Sequence, residues 1–390
     1  MAAHARNPSI DALRGLVMVV MALDHARDYW APTPFDPTNV ASDTTPLWFF
    51  MRWVTHFCAP VFVFLAGTSA FFKGRKVGPR ALSRWLVVRG LWIVLLEITV
   101  NNALWWGGVW PTFGFSVSLQ VLWAIGASML ALGLLCRLPR GAILIVAAAM
   151  IAGHNLLDSV GTGVAQSSAP LDIAWSLLHV QNFIPMDGWT LFVLYPVVPW
   201  VGVMAAGYVF GSWFVEIEGR ARPVFLLGLA LTVAFVVLRF ANVYGDPSPW
   251  VSSERGTLYT VLDALACTKY PPSLLFLLMT LGPSLMLLAW FGTVRAGVIH
   301  WLTVYGRVPL FFYFAHMVVI HGVMLIAAAS AGRSPAWWFL VAIGQGDPEY
   351  VPAASPALHI WGVAVFALYP ACYAWGLLKR SDRHRWADWL

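Results

Sequence analysis

Ionisable side chains occur inside long apolar stretches of this sequence, and they are the residues best suited to chemistry. The first apolar stretch contains Arg14, Asp24 and His25, and the second begins with Arg52 and His56. Charged and imidazole groups are costly in hydrocarbon, so their presence there indicates a functional site by default. Histidine is the natural general base among them, because its unperturbed pKa of about 6.5 lets it accept and return a proton near neutral pH.

The spacing of the first two groups predicts an arrangement along one helix. Arg14 and His25 are eleven residues apart, which is three turns and about 16 Å on a single helical face. The second stretch runs in the opposite direction, so His56 is predicted at the depth of His25. We therefore predict His25 as the catalytic base, His56 as its helper and Asp24 as the group that orients His25.

The remaining polar residues separate by predicted depth into two sets. The cations on the cytoplasmic side, predicted to bind the phosphates of an anionic cofactor through charge-assisted hydrogen bonds, are Arg14, Arg84, Arg89 and Arg307. The groups assigned to substrate binding are Arg52, Glu97, Gln120, His154, Asp158 and His316. Within that set, Gln120 or Arg52 is a candidate donor to a developing oxyanion.

Structural roles are the competing interpretation for several of these residues. A histidine in a helix bundle most often hydrogen-bonds a neighbour, which is the simpler interpretation of His154, His179 and His321. The alternative for Arg84 and Arg89 is snorkelling toward lipid head groups. The alternative for Glu97 is an ion pair with an arginine of the bundle. Cys58 is better explained as a small core residue than as a nucleophile.

The composition requires lipid as the solvent. Of 390 residues, 59% are hydrophobic and only 11% are charged, whereas a soluble domain contains roughly a quarter charged residues. The 22 tryptophans are typical of chains with membrane interfaces. The net charge of +6 does not indicate a nucleic-acid partner, because the basic residues lie in short loops. The four cysteines have no close spacing and predict neither a disulfide framework nor a metal site.

The apolar stretches predict ten membrane spans, since a span needs about 20 apolar residues. They lie near 11–30, 47–72, 81–104, 117–136, 141–158, 190–213, 222–240, 271–291, 307–329 and 358–378. Segment 171–180 is predicted to be a short interfacial helix. The expected fold is an all-α polytopic bundle that forms one domain over residues 1–390.

Loop charges predict the orientation through the positive-inside rule. The basic loops and tail contain Lys73, Arg75, Lys76, Arg80, Arg84, Arg137, Arg140, Arg220, Arg222, Arg295, Arg307, Lys379, Arg380, Arg383 and Arg385. Alternate loops contain Arg255, Lys269, Arg333 and most of the acidic residues. Both termini are therefore predicted to be cytoplasmic in a multi-pass protein of the cell membrane, the inner membrane in a Gram-negative cell.

The chain resembles a known family over nearly its whole length. The segments that carry the resemblance are SIDALRGLVMVVMALDHARDYW, THFCAPVFVFLAGTSAFF, SLQVLWAIGASML, GHNLLD, LYPVVPWVGVMAAGYVFG, FANVYGDPSPW, TKYPPSLLFLLMTLGP and YGRVPLFFYFAHMVVIH. They resemble bacterial relatives of the heparan-α-glucosaminide N-acetyltransferase catalytic domain, within the wider transmembrane acyltransferase superfamily. The resemblance implies transfer of acetyl from cytosolic acetyl-CoA to an amino sugar or glycan across the membrane.

The resemblance also bears on the catalytic histidine. The spacing of Arg14 and His25 is similar to that of the acyltransferase-three branch, where the matching histidine is essential. In the animal lysosomal enzymes an Asn occupies the position similar to His25, and the catalytic histidine follows the first span. Residues 26–55 of this chain contain no histidine, so the resemblance implies that His25 or His56 takes that role.

The sequence therefore predicts a membrane acyltransferase that uses acetyl-CoA, a histidine base and no metal. Its other expected partners are membrane lipids and an extracytoplasmic glycan, with a homo-oligomer left open. Two alternatives from other classes remain: a proton-coupled transporter or flippase for a glycan or lipid-linked substrate, and a non-catalytic membrane partner of a biosynthetic enzyme. The absence of an evident internal repeat argues against a transporter.

Overall fold

A computed structural model describes residues 7–160 and 168–379 of the chain. The predicted basic residues Arg380, Arg383 and Arg385 lie outside the described residues. The helices of the first part are α1 (Pro8–Trp30), α2 (Pro46–Trp53), α3 (Cys58–Val77), α4 (Pro79–Leu96), α5 (Asn102–Trp106), α6 (Trp110–Phe113), α7 (Val121–Leu135) and α8 (Arg140–Gly153). They are followed by α9 (Pro170–Leu178), α10 (Val198–Glu216), α11 (Ala221–Ala241), α12 (Thr257–Leu265), α13 (Leu274–Thr293), α14 (Ala296–Gly306), α15 (Pro309–Ser330), α16 (Trp337–Ala342) and α17 (Ala354–Leu378).

Short irregular turns extend or join some of these helices. A 3₁₀ turn, Val54–Phe57, joins α2 to α3, and another, His154–Leu157, extends α8. A π-helical turn, Glu97–Asn101, joins α4 to α5. The described residues contain three strands, β1 (Ser116–Leu119), β2 (Asn182–Met186) and β3 (Trp189–Val193). Each of the ten predicted spans thus overlaps a helix, which confirms the prediction of an all-α polytopic bundle.

Seven helical stretches in the described chain are long and apolar enough to cross a membrane. They are Pro46–Val77, Arg140–Leu157, Val198–Glu216, Ala221–Ala241, Leu274–Thr293, Pro309–Ser330 and Ala354–Leu378. Among the other predicted spans, α1 carries several charged residues and α7 has only 15 residues. The number of ten spans and the cytoplasmic position of the termini stay predictions.

Two parts of the predicted spans are strands instead of helix. Residues 117–119 belong to β1 and residues 190–193 to β3. With β2 they form a sheet in the order β1-β3-β2, in which β1 is parallel and β2 antiparallel to β3. The β2–β3 hairpin turns at Gly188, whose φ of 75° is a conformation that glycine adopts without strain. The helix prediction was wrong here because β-branched and aromatic residues such as Thr190 and Phe192 also suit a strand.

Contacts divide the chain into two compact units. The first contains α1, α2, α12, α14 to α17 and the part of α13 from Ser284 onward. The second contains α3 to α11, the three strands and the earlier part of α13. That residues 1–390 act as one domain stays a prediction.

Helix α1 is the centre of the first unit. It packs against α14, α15 and α17, and Asn7 caps its start by accepting a hydrogen bond from the amide of Ser9 at 3.0 Å. Gly15 of α1 and Gly306 of α14 allow the two helix backbones to touch. A Cβ on Gly15 would overlap the Leu302 carbonyl, and a Cβ on Gly306 would overlap the Asp11 carbonyl. Small residues at such crossings are typical of membrane helix pairs.

The second unit contains two groups of packed helices. Helix α4 packs against α7, and α10 packs against both α7 and α8. The sheet lies next to the π-helical turn, since β1 contacts residues 97–101. The short helix α9 confirms the predicted helical segment at 171–180 within two residues.

Candidate functional site

Two histidines meet in the interior of the first unit. Nδ1 of His25, on α1, lies 2.7 Å from Nε2 of His316, on α15. The rings are nearly coplanar, with centroids 4.9 Å apart and an interplanar angle of 10°. His316 is fully buried and His25 is 8% exposed. Tyr313 meets His25 edge-on at 6.1 Å.

The hydrogen bonds of this pair determine its tautomers. Nδ1 of His316 lies 2.7 Å from the carbonyl oxygen of Phe312, which can only accept, so this nitrogen carries the proton. In a neutral His316, Nε2 is then an acceptor, and Nδ1 of His25 must donate to it. A neutral His25 therefore has its lone pair on Nε2. That is the protonation state that a general base requires.

An ion-pair network surrounds the neighbouring residue Asp24. Its carboxylate accepts hydrogen bonds from Arg27 at 3.1 Å and from Arg52, of the next helix, at 2.5 Å. Arg27 also donates to Asp28 at 2.6 Å. The two carboxylates and two guanidinium groups compensate one another, so they hold the end of α1 against α2. We expected Asp24 to set the tautomer of His25, but in the structure the nitrogen Nδ1 is engaged by His316.

One turn further along α1, a second aromatic residue contacts a histidine of α15. Tyr29 stacks on His321 of α15, with centroids 4.3 Å apart and an angle of 10°, and Trp338 packs edge-on against Tyr29 at 4.8 Å. The indole N–H of Trp30 donates to the Ile320 carbonyl at 3.0 Å. These contacts fix the rotation of α1 against α15 and thereby position His25. They support the structural interpretation of His321.

The opposite end of α1 carries a cluster of cations around one carboxylate. Arg14 Nη1 lies 3.1 Å from Asp11 Oδ1 and donates to the Gly306 carbonyl at 3.1 Å. Arg307 Nε lies 3.6 Å from Asp11 Oδ2. With two guanidinium groups and one carboxylate, the cluster has a formal charge of +1. The side chains of Arg14 and Arg307 are 12% and 26% exposed, against 3% for Asp11, so both cations reach the surface and the acid does not.

His56 lies in the 3₁₀ turn that packs against α1. It is 3% exposed, as a functional or a core histidine would be. Two residues later, the Cys58 thiol donates to the Val17 carbonyl of α1 at 3.3 Å. This contact supports a core role for Cys58. The helper role of His56 stays a prediction.

Glu97, in the second unit, is completely buried and holds the start of α7. Its carboxylate accepts hydrogen bonds from the backbone amides of Gln120 at 3.3 Å and Trp123 at 3.1 Å, and from the Asn101 side chain at 2.9 Å. Asn102 supports the arrangement by binding the backbone of Ser118. The two backbone bonds are those of a helix cap, so Glu97 binds backbone amides and the Asn101 side chain instead of the arginine considered from the sequence.

The other residues predicted in the second unit lie in three places. Arg84 is exposed and Arg89 half-buried on α4, which suits either cofactor binding or snorkelling. Gln120 is 8% exposed at the start of α7. His154 and Asp158 both lie beside His179, which donates from Nε2 to Asp158 at 3.1 Å and meets the His154 ring edge-on at 6.0 Å.

Local hydrogen bonds order this outer cluster. His154 Nδ1 donates to the carbonyls of Met150 and Ile151, and Asn155 donates to Asp158 at 2.8 Å. Burial lowers the pKa of His179 against the opposing effect of Asp158. The contacts favour a structural role for His154, as the sequence suggested. Within the described residues, no group of three or more His, Cys, Asp or Glu side chains is arranged to hold a metal ion.

Sequence reasoning missed the role of His316 as the direct partner of His25. It placed both residues at similar depth but paired His25 with His56. The available signal was the aromatic and histidine spacing of α15, where His316 and His321 match His25 and Tyr29 of α1. That match appears only once the two helices are known to be neighbours.

These features define the class of protein: a membrane helix bundle with a buried histidine pair at one end of a helix and a cationic cluster at the other. The family model described as "Heparan-alpha-glucosaminide N-acetyltransferase, catalytic" matches residues 6–240, more than half of the chain. The chain therefore belongs to the heparan-alpha-glucosaminide N-acetyltransferase family. The predicted family is confirmed, and the chain is a membrane-bound acyltransferase by family. A search of the curated proteins found no match.

The matched range includes Arg14, His25 and His56 but ends before α12. His316 and Arg307, which complete the histidine pair and the cationic cluster, lie beyond it. These two residues are therefore assigned to the site by their contacts with α1 alone.

Proposed function

We propose that the protein transfers an acetyl group from cytosolic acetyl-CoA to a hydroxyl or amine of an extracytoplasmic glycan or amino sugar, with His25 as general base. The observation that carries the proposal is the hydrogen bond between His25 and His316, which leaves the basic lone pair of His25 on Nε2. Membership of an acetyltransferase family supports the reaction class.

In the proposed reaction, His25 Nε2 takes the proton of the acceptor O–H or N–H as that atom attacks the thioester carbonyl. The tetrahedral adduct then expels the thiolate, and the proton on His25 passes to the sulfur, which restores the neutral imidazole. Atoms and charge balance, since the products are the acetylated acceptor and free CoA. A general base of this kind contributes roughly 10²–10⁴-fold to the rate.

His316 stabilises the charged intermediate state of His25 in this scheme. While His25 is an imidazolium, its Nδ1–H continues to donate to His316 Nε2, and the Nδ1–H of His316 continues to donate to the Phe312 carbonyl. A hydrogen bond from a charged donor is roughly twice as strong as a neutral one. His316 is thus a positioning residue that favours proton uptake by His25.

The cationic cluster is the proposed site for the phosphates of acetyl-CoA. Arg14 and Arg307 have one carboxylate between them, and both guanidinium groups are partly exposed. The net positive charge suits a polyanion, and one guanidinium group can donate two parallel hydrogen bonds to two oxygens of a phosphate. Arg84 and Arg89 remain proposed contributors from α4.

Of the two candidate oxyanion donors, Arg52 belongs to the same unit as His25. It is held by Asp24 through Nη1, and a guanidinium has five N–H groups, so the ion pair does not consume its capacity to donate. Gln120 remains the other candidate. Either group would stabilise the charge that develops on the thioester oxygen.

The test is turnover by the purified protein. Radiolabelled acetyl-CoA is incubated with a panel of glucosamine-containing glycans, and both free CoA and labelled product are measured. We expect acceptor-dependent release of CoA, lost in His25→Ala and retained in a control variant of the exposed His359. If the protein neither binds acetyl-CoA nor releases CoA under any condition, the enzyme proposal is contradicted, and the transporter or partner alternatives are favoured.

A further inference from the structure

A cavity of about 270 Å³ lies at the far end of α1 in the first unit. Its walls come from Trp30 on α1, Met324 and Ala327 on α15, and the segment that contains Arg333, Trp337 and Tyr350. Trp30 follows His25 by five residues, or about 7.5 Å along the helix. The cavity therefore lies more than one helical turn beyond the proposed catalytic base, at the end of α1 away from the cationic cluster of Arg14 and Arg307.

The walls offer apolar surface and very few hydrogen-bonding groups. The indole N–H of Trp30 already donates to the Ile320 carbonyl, so the polar atom of this side chain is engaged outside the cavity's other walls. Most of the remaining wall is methionine, alanine, valine and proline. A free glycan would need several polar partners in such a site, and these walls do not supply them.

Apart from its two tryptophans, the cavity has two polar side chains, a guanidinium and a phenol. The Arg333 side chain lies over the Trp337 ring at 4.9 Å and forms no ion pair within the described residues. Burial raises the pKa of Tyr350 to about 12, so the phenol remains an uncharged O–H group. A cation without an acidic partner, next to a hydroxyl donor, suits an anionic head group.

We propose that this cavity binds a phosphate-bearing amphiphile, and that the acetyl acceptor is a saccharide joined through phosphate to an apolar chain. The chain would lie against Trp30, Met324 and Ala327, and the phosphate would lie at Arg333. The volume is just below the range of about 300–1,000 Å³ for small-molecule sites, so it takes a segment of a chain. The choice of acceptor rests on the function proposed above, whereas amphiphile binding does not.

The test is lipid binding measured by native mass spectrometry of the detergent-purified protein, without acetyl-CoA. The probes are a polyprenyl phosphate, the matching polyprenol without phosphate, an anionic phospholipid, a zwitterionic phospholipid and inorganic phosphate. We expect the polyprenyl phosphate to bind at least tenfold more tightly than the polyprenol. Ala327→Phe, which adds bulk at the cavity wall, and Arg333→Ala should each weaken binding about tenfold or more.

Matched variants separate these effects from general damage. Ala329→Phe is on the same helix and outside the cavity, and Arg295→Ala removes an exposed arginine elsewhere; both should bind as the wild type. If Ala327→Phe or Arg333→Ala binds the polyprenyl phosphate as tightly as the wild type, the proposed site is overturned. If the anionic phospholipid binds as tightly as the polyprenyl phosphate, the cavity is a site for bulk lipid and the acceptor assignment is overturned. Turnover with soluble amino sugars, measured separately, reports on the proposed function whichever result is found.

Discussion

His25 and His316 are 291 residues apart in the chain and share a hydrogen bond of 2.7 Å between Nδ1 and Nε2. His316 donates through Nδ1 and accepts through Nε2, whereas a neutral His25 donates through Nδ1 and has its lone pair on Nε2; we therefore propose His25 as the base and His316 as its support. The two rings therefore have different chemical roles, and substitutions should separate them.

We expect His25→Ala to lower kcat by roughly 10²–10⁴-fold, the usual contribution of a general base, with acetyl-CoA binding retained. His316→Ala should lower kcat less and leave KM nearly unchanged, since His316 acts through His25. His316→Gln, whose amide oxygen can accept from His25 Nδ1, should restore part of the loss. Steady-state kinetics on folded variants measures all three.

The histidine in the turn before α3 gives a separate comparison. If His56 only helps to position the acceptor, His56→Ala should leave measurable turnover. A dead His56→Ala together with a near-normal His25→Ala would reverse the two roles. Wild-type rates in both variants would show that histidine catalysis is wrong.

Arg14→Ala should weaken acetyl-CoA binding about ten- to hundredfold, equivalent to roughly 1.5–3 kcal/mol for one hydrogen bond to a charged group. The fold should survive, because Arg307 still lies near Asp11. Calorimetric titration of acetyl-CoA measures the effect. Unchanged affinity in a folded Arg14→Ala would remove Arg14 from the donor site, and an unfolded variant would show that its ion pair with Asp11 is structural.

Glu97→Ala should destabilise the protein by roughly 1–3 kcal/mol, because it leaves buried backbone amides of α7 without their acceptor. Glu97→Gln keeps one acceptor oxygen and should cost less. Thermal unfolding in detergent measures the difference. A large rise in acceptor KM with no loss of thermal stability would instead support the substrate-binding role predicted from the sequence.

Gly15→Ala should destabilise the first unit by about 3 kcal/mol, the upper end for overpacking, because its Cβ would meet the rigid backbone of α14. Gly322→Ala is the matched control, since a Cβ there meets nothing within 4 Å, and it should be neutral or stabilising by about 0.5–1 kcal/mol. Comparable unfolding midpoints for the two variants would contradict the close packing of α1 and α14.

Topology reporters provide an independent test of the loop charges. Reporters fused after residue 76, 138 or 385 should be cytoplasmic, and reporters after residue 40, 170 or 345 should be external. The physical reason is the retention of arginine and lysine loops on the cytoplasmic side. A cytoplasmic signal after residue 170 would change the number of spans.

Much of the helical framework could be predicted from the sequence, because long apolar stretches specify membrane helices almost by length alone. The limits of α1, α8, α11 and α15 agree with the predicted spans within a few residues. The strands at residues 116–119 and 189–193 were missed, since a short apolar run does not distinguish a buried strand from the end of a helix.

The partners of the buried charges could not be predicted. Arg52 was predicted near the depth of His25, but its ion pair with Asp24 depends on how α2 meets α1. Glu97 was assigned to substrate binding, with an arginine pair as the alternative, whereas its partners are the Asn101 side chain and backbone amides at the start of α7. Helical spacing predicts which residues share a face, and the choice of neighbouring helix then decides what that face contacts.

The uninterrupted course of α1 from Pro8 to Trp30 has a consequence for which acetyl donors can react. Because the helix is continuous, it fixes the distance between the proposed phosphate site at Arg14 and the proposed base His25 at about 16 Å. Acetyl-CoA separates its charged phosphates from its acetyl group by a long flexible arm and can occupy both ends together. Acetyl phosphate has its charge and its acetyl group on adjacent atoms, so it should bind at Arg14 without delivering its carbonyl to His25.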